Sequence, residues 1–237
     1  MKLLVLNHKM NIEYSVLDNY IKELSNIKNN NIKLVVCPSD IYLLKFKENG
    51  FTIGGQNSSF DKKGNYTGEV SAEQLKSIGA DYCIVGHSER RKYFAEDDNT
   101  INRKIKLLLD NDIDPILCVG ETLEQKNAGV TKEIIMDQIA KALDGIRKDK
   151  IENVIIAYEP IWSIGSGMIP TIDELQNVIL FIKDSLKKVD CNIKVLYGGS
   201  VNEENISYLN NIDKLDGFLL GGVSLDTKRM SKLTNKL

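Results

Sequence analysis

The chain lacks the residues that would make it a metalloprotein, a disulfide-stapled protein or a polyelectrolyte. It has two histidines in 237 residues and four cysteines, Cys37, Cys83, Cys118 and Cys191, none in a Cys-x-x-Cys pair. With no His/Cys cluster, a bound metal is not expected. Cysteines this far apart, three of them in or beside apolar runs, read as reduced buried thiols of a cytoplasmic protein rather than a disulfide framework. Neither sign of charge dominates: 31 Lys and Arg stand against 33 Asp and Glu, interspersed, for a net charge of -2. That argues against a nucleic-acid face or a membrane-surface patch. Basic clusters such as Arg147-Lys148 read as solvated helix faces. No run of ~20 apolar residues is available to span a membrane. The apolar start, Met1 to Leu6, is broken at once by Asn7-His8-Lys9, too short for the core of a signal peptide. No Pro/Gly/Ser-rich linker, low-complexity tract or shift in composition divides the chain, so residues 1–237 are expected to form one domain.

What is present is alternation. Short apolar runs at 3–6, 34–36, 52–54, 82–85, 115–119, 154–158, 194–197 and 218–220 are separated by longer amphipathic segments, among them 15–28, 72–78, 99–109, 132–143, 172–189 and 203–209. Two of these open on a plausible cap, Ser71 before Glu73 and Gln74, and Thr171 before Asp173 and Glu174. Strands alternating with helices imply a parallel sheet. Eight units of roughly 30 residues match the size of a βα repeat and suit a closed (β/α)8 barrel, with eight parallel strands and an outer ring of helices. A doubly wound open sheet is the structural competitor.

In such a barrel the chemistry sits where the strands end. Asn7 and Lys9 follow the first run, and His87, Ser88 and Glu89 the fourth. Glu159 ends the sixth, Gly198-Gly199-Ser200 the seventh and Gly221-Gly222 the eighth. Glu159 is a carboxylate on a rigid strand end, and Pro160-Ile161-Trp162 offers an apolar cover that would raise its pKa toward neutrality. It could equally be the partner of a nearby cation. His87 opens a helical turn, whose N-terminal partial positive charge disfavours imidazolium; alone, it could be a packed side chain. Lys9 is placed to meet an anion. His8 points the other way along the strand and reads as packing. Gly165-Ser166-Gly167, Gly198-Gly199-Ser200 and Gly221-Gly222 could each turn backbone N–H groups toward a phosphate. The first of these lacks the third glycine of a dinucleotide fingerprint.

Taken in order, Asn7-x-Lys9-Met10, Gln56-Asn57, Tyr66-Thr67-Gly68-Glu69-Val70-Ser71, the segment from Val85 to Arg91, Leu117 to Thr122, Ala157 to Gly167, Tyr197 to Val201 and Asp216 to Gly222 resemble the triosephosphate isomerase family over nearly the whole chain. The resemblance implies a TIM barrel that interconverts dihydroxyacetone phosphate and glyceraldehyde 3-phosphate with no cofactor, in glycolysis and gluconeogenesis. It implies that Glu159 is the base and that His87, as neutral imidazole, polarises the carbonyl; that pairing of a carboxylate base with a neutral histidine is a known case for this enzyme. It further implies that Lys9 and Asn7 stabilise negative charge and that Glu89 supports the site. The loop from Pro160 resembles the family's lid, closing the phosphate against Gly165, Ser200, Gly221 and Gly222. A homodimer through the loop of Asn65, Tyr66 and Thr67 is implied as well. The chain departs from the common pattern at His8, Asn65 and Met168 and in a short segment from Cys37 to Gly54. Two other readings of the residues remain: a different phosphate-binding barrel, such as an aldolase or sugar-phosphate isomerase, and a non-catalytic barrel. A Schiff-base aldolase would need a lysine within a barrel strand, and the strand interiors carry none. A non-catalytic barrel would be expected to lose Lys9, His87 or Glu159, and all three are present.

Overall fold

The computed structural model describes residues 1–188 and 191–237. Eight parallel strands close into a barrel: β1 Lys2–Asn7, β2 Ile32–Cys37, β3 Thr52–Gly55, β4 Tyr82–Val85, β5 Asp114–Val119, β6 Ile155–Tyr158, β7 Lys194–Tyr197 and β8 Gly217–Leu220. Each strand pairs with the next, and β8 returns to β1 with Leu3 opposite Gly217 and Leu6 opposite Leu220. The closed ring removes the open-sheet alternative. All eight apolar runs of the sequence are strands.

The period-2 alternation of each strand sorts its side chains into two cores. Leu3, Val5, Val35, Tyr82, Ile84, Ile116, Ile155, Ala157, Leu196 and Leu219 fill the barrel. Leu4, Leu6, Val36, Val85, Leu117, Ile156, Val195, Phe218 and Leu220 face the surrounding helices. Each fully buried aliphatic side chain contributes roughly 1.5–3 kcal/mol. The helix Ile172–Lys187 shows the matching period. Leu175, Val178, Ile179, Ile182 and Leu186 bury one stripe, and Thr171 with Glu174 forms a capping box at its start. Ser71 and Gln74 form the same box before Ala72–Ser77. Both expected caps are present.

Some helix limits differ from the sequence expectation. The segment expected over 15–28 is helical only over Tyr14–Ser25. Asn26 caps it, its N–H bonded to the Glu23 carbonyl, and Asn29 beyond accepts the Asn31 N–H at 2.8 Å and donates to the Thr234 carbonyl at 2.7 Å. The segment expected over 203–209 is helical over Ile206–Leu209, because the Asn202 side chain claims the N–H groups of Glu204 and Asn205. Of the segment expected over 172–189, Val189 lies outside the described residues. The short second unit is seen as a single 3₁₀ turn and the helix Leu43–Glu48 between β2 and β3. No helix among the described residues is long and apolar enough to cross a membrane.

Candidate active site

The inward face turns polar at the last residue of β1 and at the first residue past β6. On β1 the inward series Leu3, Val5 leads to Asn7; on β6, Ile155 and Ala157 lead to Glu159. On β4 the inward series is Tyr82 and Ile84, so His87 belongs to the outward set with Cys83 and Val85. Gly86 breaks the alternation. Its left-handed φ of 68°, which a side chain would strain, swings His87 inward as the N-cap of the helix Ser88–Tyr93. A cavity of about 420 Å³ opens above these strand ends. Asn7, Lys9, His87, Glu159, Gly165, Ser200, Gly221 and Gly222 all line it. The expected site residues thus converge from five strand ends, and Glu89 stands beside them with its Oε1 2.6 Å from Lys9 Nζ.

Glu159 is 2% exposed and faces His87, with Oε1 3.1 Å from Nε2; its Oε2 accepts the Ser88 N–H at 3.3 Å. Two glycines make room for it. A Cβ on Gly120 would sit 1.8 Å from the Glu159 carbonyl oxygen, and one on Gly198 would sit 2.8 Å from its Cγ. The expectation that an apolar cover raises this carboxyl does not hold in the resting geometry. Burial pushes it up, but the His87 ring and the Ser88 N–H outweigh burial and hold it below its ordinary value. The indole of Trp162 is turned instead toward Glu121, donating to its Oε1 at 2.8 Å.

The Glu89 N–H donates to His87 Nδ1 at 3.2 Å, so that nitrogen carries no proton and Nε2–H is the donor toward Glu159. That bond suits a neutral ring with its proton on Nε2, but the expectation that the helix N-terminus disfavours imidazolium does not hold in the resting geometry. Burial opposes charging of the ring, while Glu159 and Glu89 beside it draw its pKa above the ordinary value. That pull lasts only while Glu159 is its partner. The loop is braced from behind by Glu96, which accepts the Gly86 N–H at 3.3 Å and takes both Arg90 Nε and Lys104 Nζ at 2.7 Å.

Lys9 has a left-handed φ of 52°, uncommon for a residue with a side chain and sustained only where neighbours enforce it. Asn7 Oδ1 accepts its N–H at 3.1 Å, while Gln56 Nε2 and Ser39 Oγ donate to its carbonyl at 2.8 and 3.2 Å. Gln56 is a positioning group that the sequence shows only as part of a motif. His8, as expected, packs outward between Tyr20 and Phe46. Tyr20 spends its hydroxyl proton on the Ser224 carbonyl at 2.5 Å and therefore accepts from His8 Nε2–H at 2.9 Å. Burial lowers the His8 pKa to about 4, so this buttress beneath the Gly221-Gly222 loop is neutral.

The loop after Glu159 is anchored at its root and bare at its tip. Tyr158 Oη and Trp162 Nε1 both donate to Glu121, a buried carboxyl whose pKa is raised by burial against the opposing pull of those bonds. Ser163 is fully buried; its carbonyl accepts from Ser200 Oγ at 2.5 Å and its Oγ from the Ser200 N–H at 3.3 Å. Residues 165–169 are exposed. Glu121 and Ser163, like Gln56, show in the sequence only as members of the motifs from Leu117 to Thr122 and from Ala157 to Gly167.

The arrangement offers a buried carboxylate, an imidazole, a cation and three small-residue turns around one cavity. A family model described as triosephosphate isomerase matches residues 2–237. The chain is 40% identical over 218 residues to the triosephosphate isomerase of Clostridium tetani, covering 88% of this chain and 86% of that one. It is 37% identical over 239 residues to that of Alkaliphilus metalliredigens, covering 97% and 96%. With that of Carboxydothermus hydrogenoformans the figures are 42% over 211 residues, 85% and 84%.

Proposed function

The chain belongs to the triosephosphate isomerase family and is an isomerase, and on that premise we propose that it interconverts dihydroxyacetone phosphate and glyceraldehyde 3-phosphate by proton transfer through an enediolate, as a step of glycolysis and gluconeogenesis in the cytoplasm. The observation that carries the mechanism is the facing pair of Glu159 and His87, 3.1 Å apart across the cavity floor. A substrate carbonyl entering there takes the His87 Nε2–H in place of Glu159. The carboxylate then loses the partner that holds its pKa down and keeps the burial that raises it. Substrate binding thus makes Glu159 a stronger base at the moment it faces the carbon acid. Glu159 removes the proton from one carbon and returns it to the next, while His87 hands protons between the two oxygens. Lys9, with Asn7 holding its backbone, supplies positive charge to the enediolate and phosphate; Glu89 sets the ammonium. The phosphate rests on backbone N–H groups of Gly165, Ser200, Gly221 and Gly222, and closure of the loop from Pro160 excludes water from the intermediate.

The test is a coupled assay of glyceraldehyde 3-phosphate turnover by the unaltered protein and by His87→Gln and Glu159→Gln. The expected kcat/KM lies toward the ~10⁸ M⁻¹s⁻¹ of diffusion-limited enzymes and is abolished in both variants. Folded protein with no turnover above those variants would overturn the reading.

The reading extends to a homodimer. Beside the catalytic cavity runs a groove lined by Lys9, Met10, His87, Glu89, Tyr93 and Phe94. Met10 is 93%, Tyr93 68% and Phe94 66% exposed, an apolar surface of the kind that partners cover. The loop of Asn65, Tyr66 and Thr67, shaped by the Tyr66 Oη bond to Asp61 at 2.6 Å, fits such a groove on a second copy. Sedimentation of the unaltered protein should give a dimer, and Thr67→Arg a monomer. A monomer at micromolar concentration before substitution would refute the arrangement.

A further inference from the structure

The two halves of the proposed phosphate cradle belong to different strand ends, and one ion pair ties them together. Ser200 follows β7, and Gly221 and Gly222 follow β8. Glu203 lies three residues beyond Ser200; Arg229 sits in the helix Thr227–Thr234 behind Gly222 and also lines the cavity. The Arg229 guanidinium grips the Glu203 carboxylate as a fork. Its Nε donates to Oε1 and Oε2 at 2.9 and 3.0 Å, and its Nη2 to Oε2 at 2.9 Å.

Each end of the fork is wired to its half of the cradle. On the β7 side, Lys236 Nζ holds the Glu203 carbonyl at 2.5 Å, the Asn202 N–H donates to Asn205 Oδ1 at 2.9 Å, and Asn205 Nδ2 donates to the Ser200 carbonyl at 2.9 Å. On the β8 side, Asp226 accepts the Arg229 N–H at 3.1 Å, and Ser224 donates its N–H and Oγ–H to the Gly221 carbonyl at 2.9 and 2.6 Å. The pair is partly exposed, with side chains 43% and 22% accessible, so it adds little to global stability. Its geometry is bidentate and specific, and the Arg229 bond holds the Glu203 pKa down to about 2, so the fork persists across the whole working pH range.

We propose that Arg229 and Glu203 are positioning residues that set the spacing between Ser200 and the Gly221-Gly222 turn, and hence the fit of the substrate phosphate. This rests on the reading of that cradle as the phosphate site. The sign of one substitution separates positioning from simple electrostatics. Glu203→Gln removes a negative charge beside the cradle, which by Coulomb's law alone would tighten binding of an anion. Loss of the clamp has the opposite effect.

The experiment is calorimetric titration of inorganic phosphate into the unaltered protein, Glu203→Gln and Arg229→Lys, with kcat and KM measured alongside. Arg229→Lys keeps the charge and loses the fork. Both variants should weaken phosphate binding about three- to tenfold, the yield of losing one bidentate pair, and raise KM by a like factor with kcat nearly held. Tighter or unchanged phosphate binding in Glu203→Gln overturns the clamp, and so does Arg229→Lys behaving as the unaltered protein. An unaltered protein that binds phosphate while neither variant differs sinks the clamp and leaves the function standing. An unaltered protein that binds no phosphate removes the cradle and the clamp with it.

Discussion

Glu159→Asp lowers kcat by about 10²–10⁴-fold while leaving the fold and KM nearly as they were, the span set by loss of a positioned general base and by the sensitivity of such reactions to a shift of ~1 Å. The backbone cannot advance to make up the missing methylene. The Glu159 N–H is bonded to the Val119 carbonyl at 2.7 Å, and the space where Gly120 has no side chain is taken by the Glu159 carbonyl itself. The shorter carboxylate therefore stays withdrawn from the carbon it must reach. Steady-state kinetics with a thermal melt in parallel checks this. Turnover near that of the unaltered protein would remove Glu159 from the role of base.

The second large effect is expected at Lys9. Lys9→Ala removes the ammonium and leaves the Glu89 carboxylate, 2.6 Å from it before, unopposed beside an anionic substrate. One charge at about 4 Å in an effective dielectric of about 20 is worth about 4 kcal/mol, roughly a thousandfold in kcat/KM. Because alanine is no happier than lysine at a φ of 52°, the turn itself gains nothing to offset the loss. Calorimetry with a phosphorylated substrate analogue isolates the binding part: affinity should fall steeply. Affinity equal to that of the unaltered protein would show that Lys9 faces no substrate charge.

Which parts were readable from the residues follows from how local each cause is. The eight strands announce themselves because a barrel strand is buried on both faces and needs an unbroken apolar run. Asn7 at the end of β1, and Lys9 and Glu159 beyond their strands, follow from strand parity, and His8 is correctly packing for the same reason. A helix limit slips where the Asn202 side chain competes for the N–H groups of Glu204 and Asn205, a competition that depends on where the chain must turn next. His87 is legible as a helix cap but reaches the cavity only because Gly86 reverses the parity. The pKa of Glu159 is not legible, since it turns on a partner 72 residues away in the chain whose ring happens to face it. Arg229 is an ordinary helix arginine by every local sign. Only the pairing of β8 with β7, which sets their ends side by side, brings it to the cavity wall.

Cys37, Cys83 and Cys118 are fully or almost fully buried, on β2, β4 and β5, and burial pushes each thiol pKa up. A thiol reagent attacks thiolate, and only where it can reach, so in the intact barrel all three are silent. Label acquired over time then counts excursions from the native state. At Cys37 and Cys118, which lie inside the ring, it counts breathing of the barrel itself; at Cys83, which faces the helices, it counts the peeling of a helix from its strand. The molecule thus carries three native clocks, set at two depths, for timing how its layers come apart.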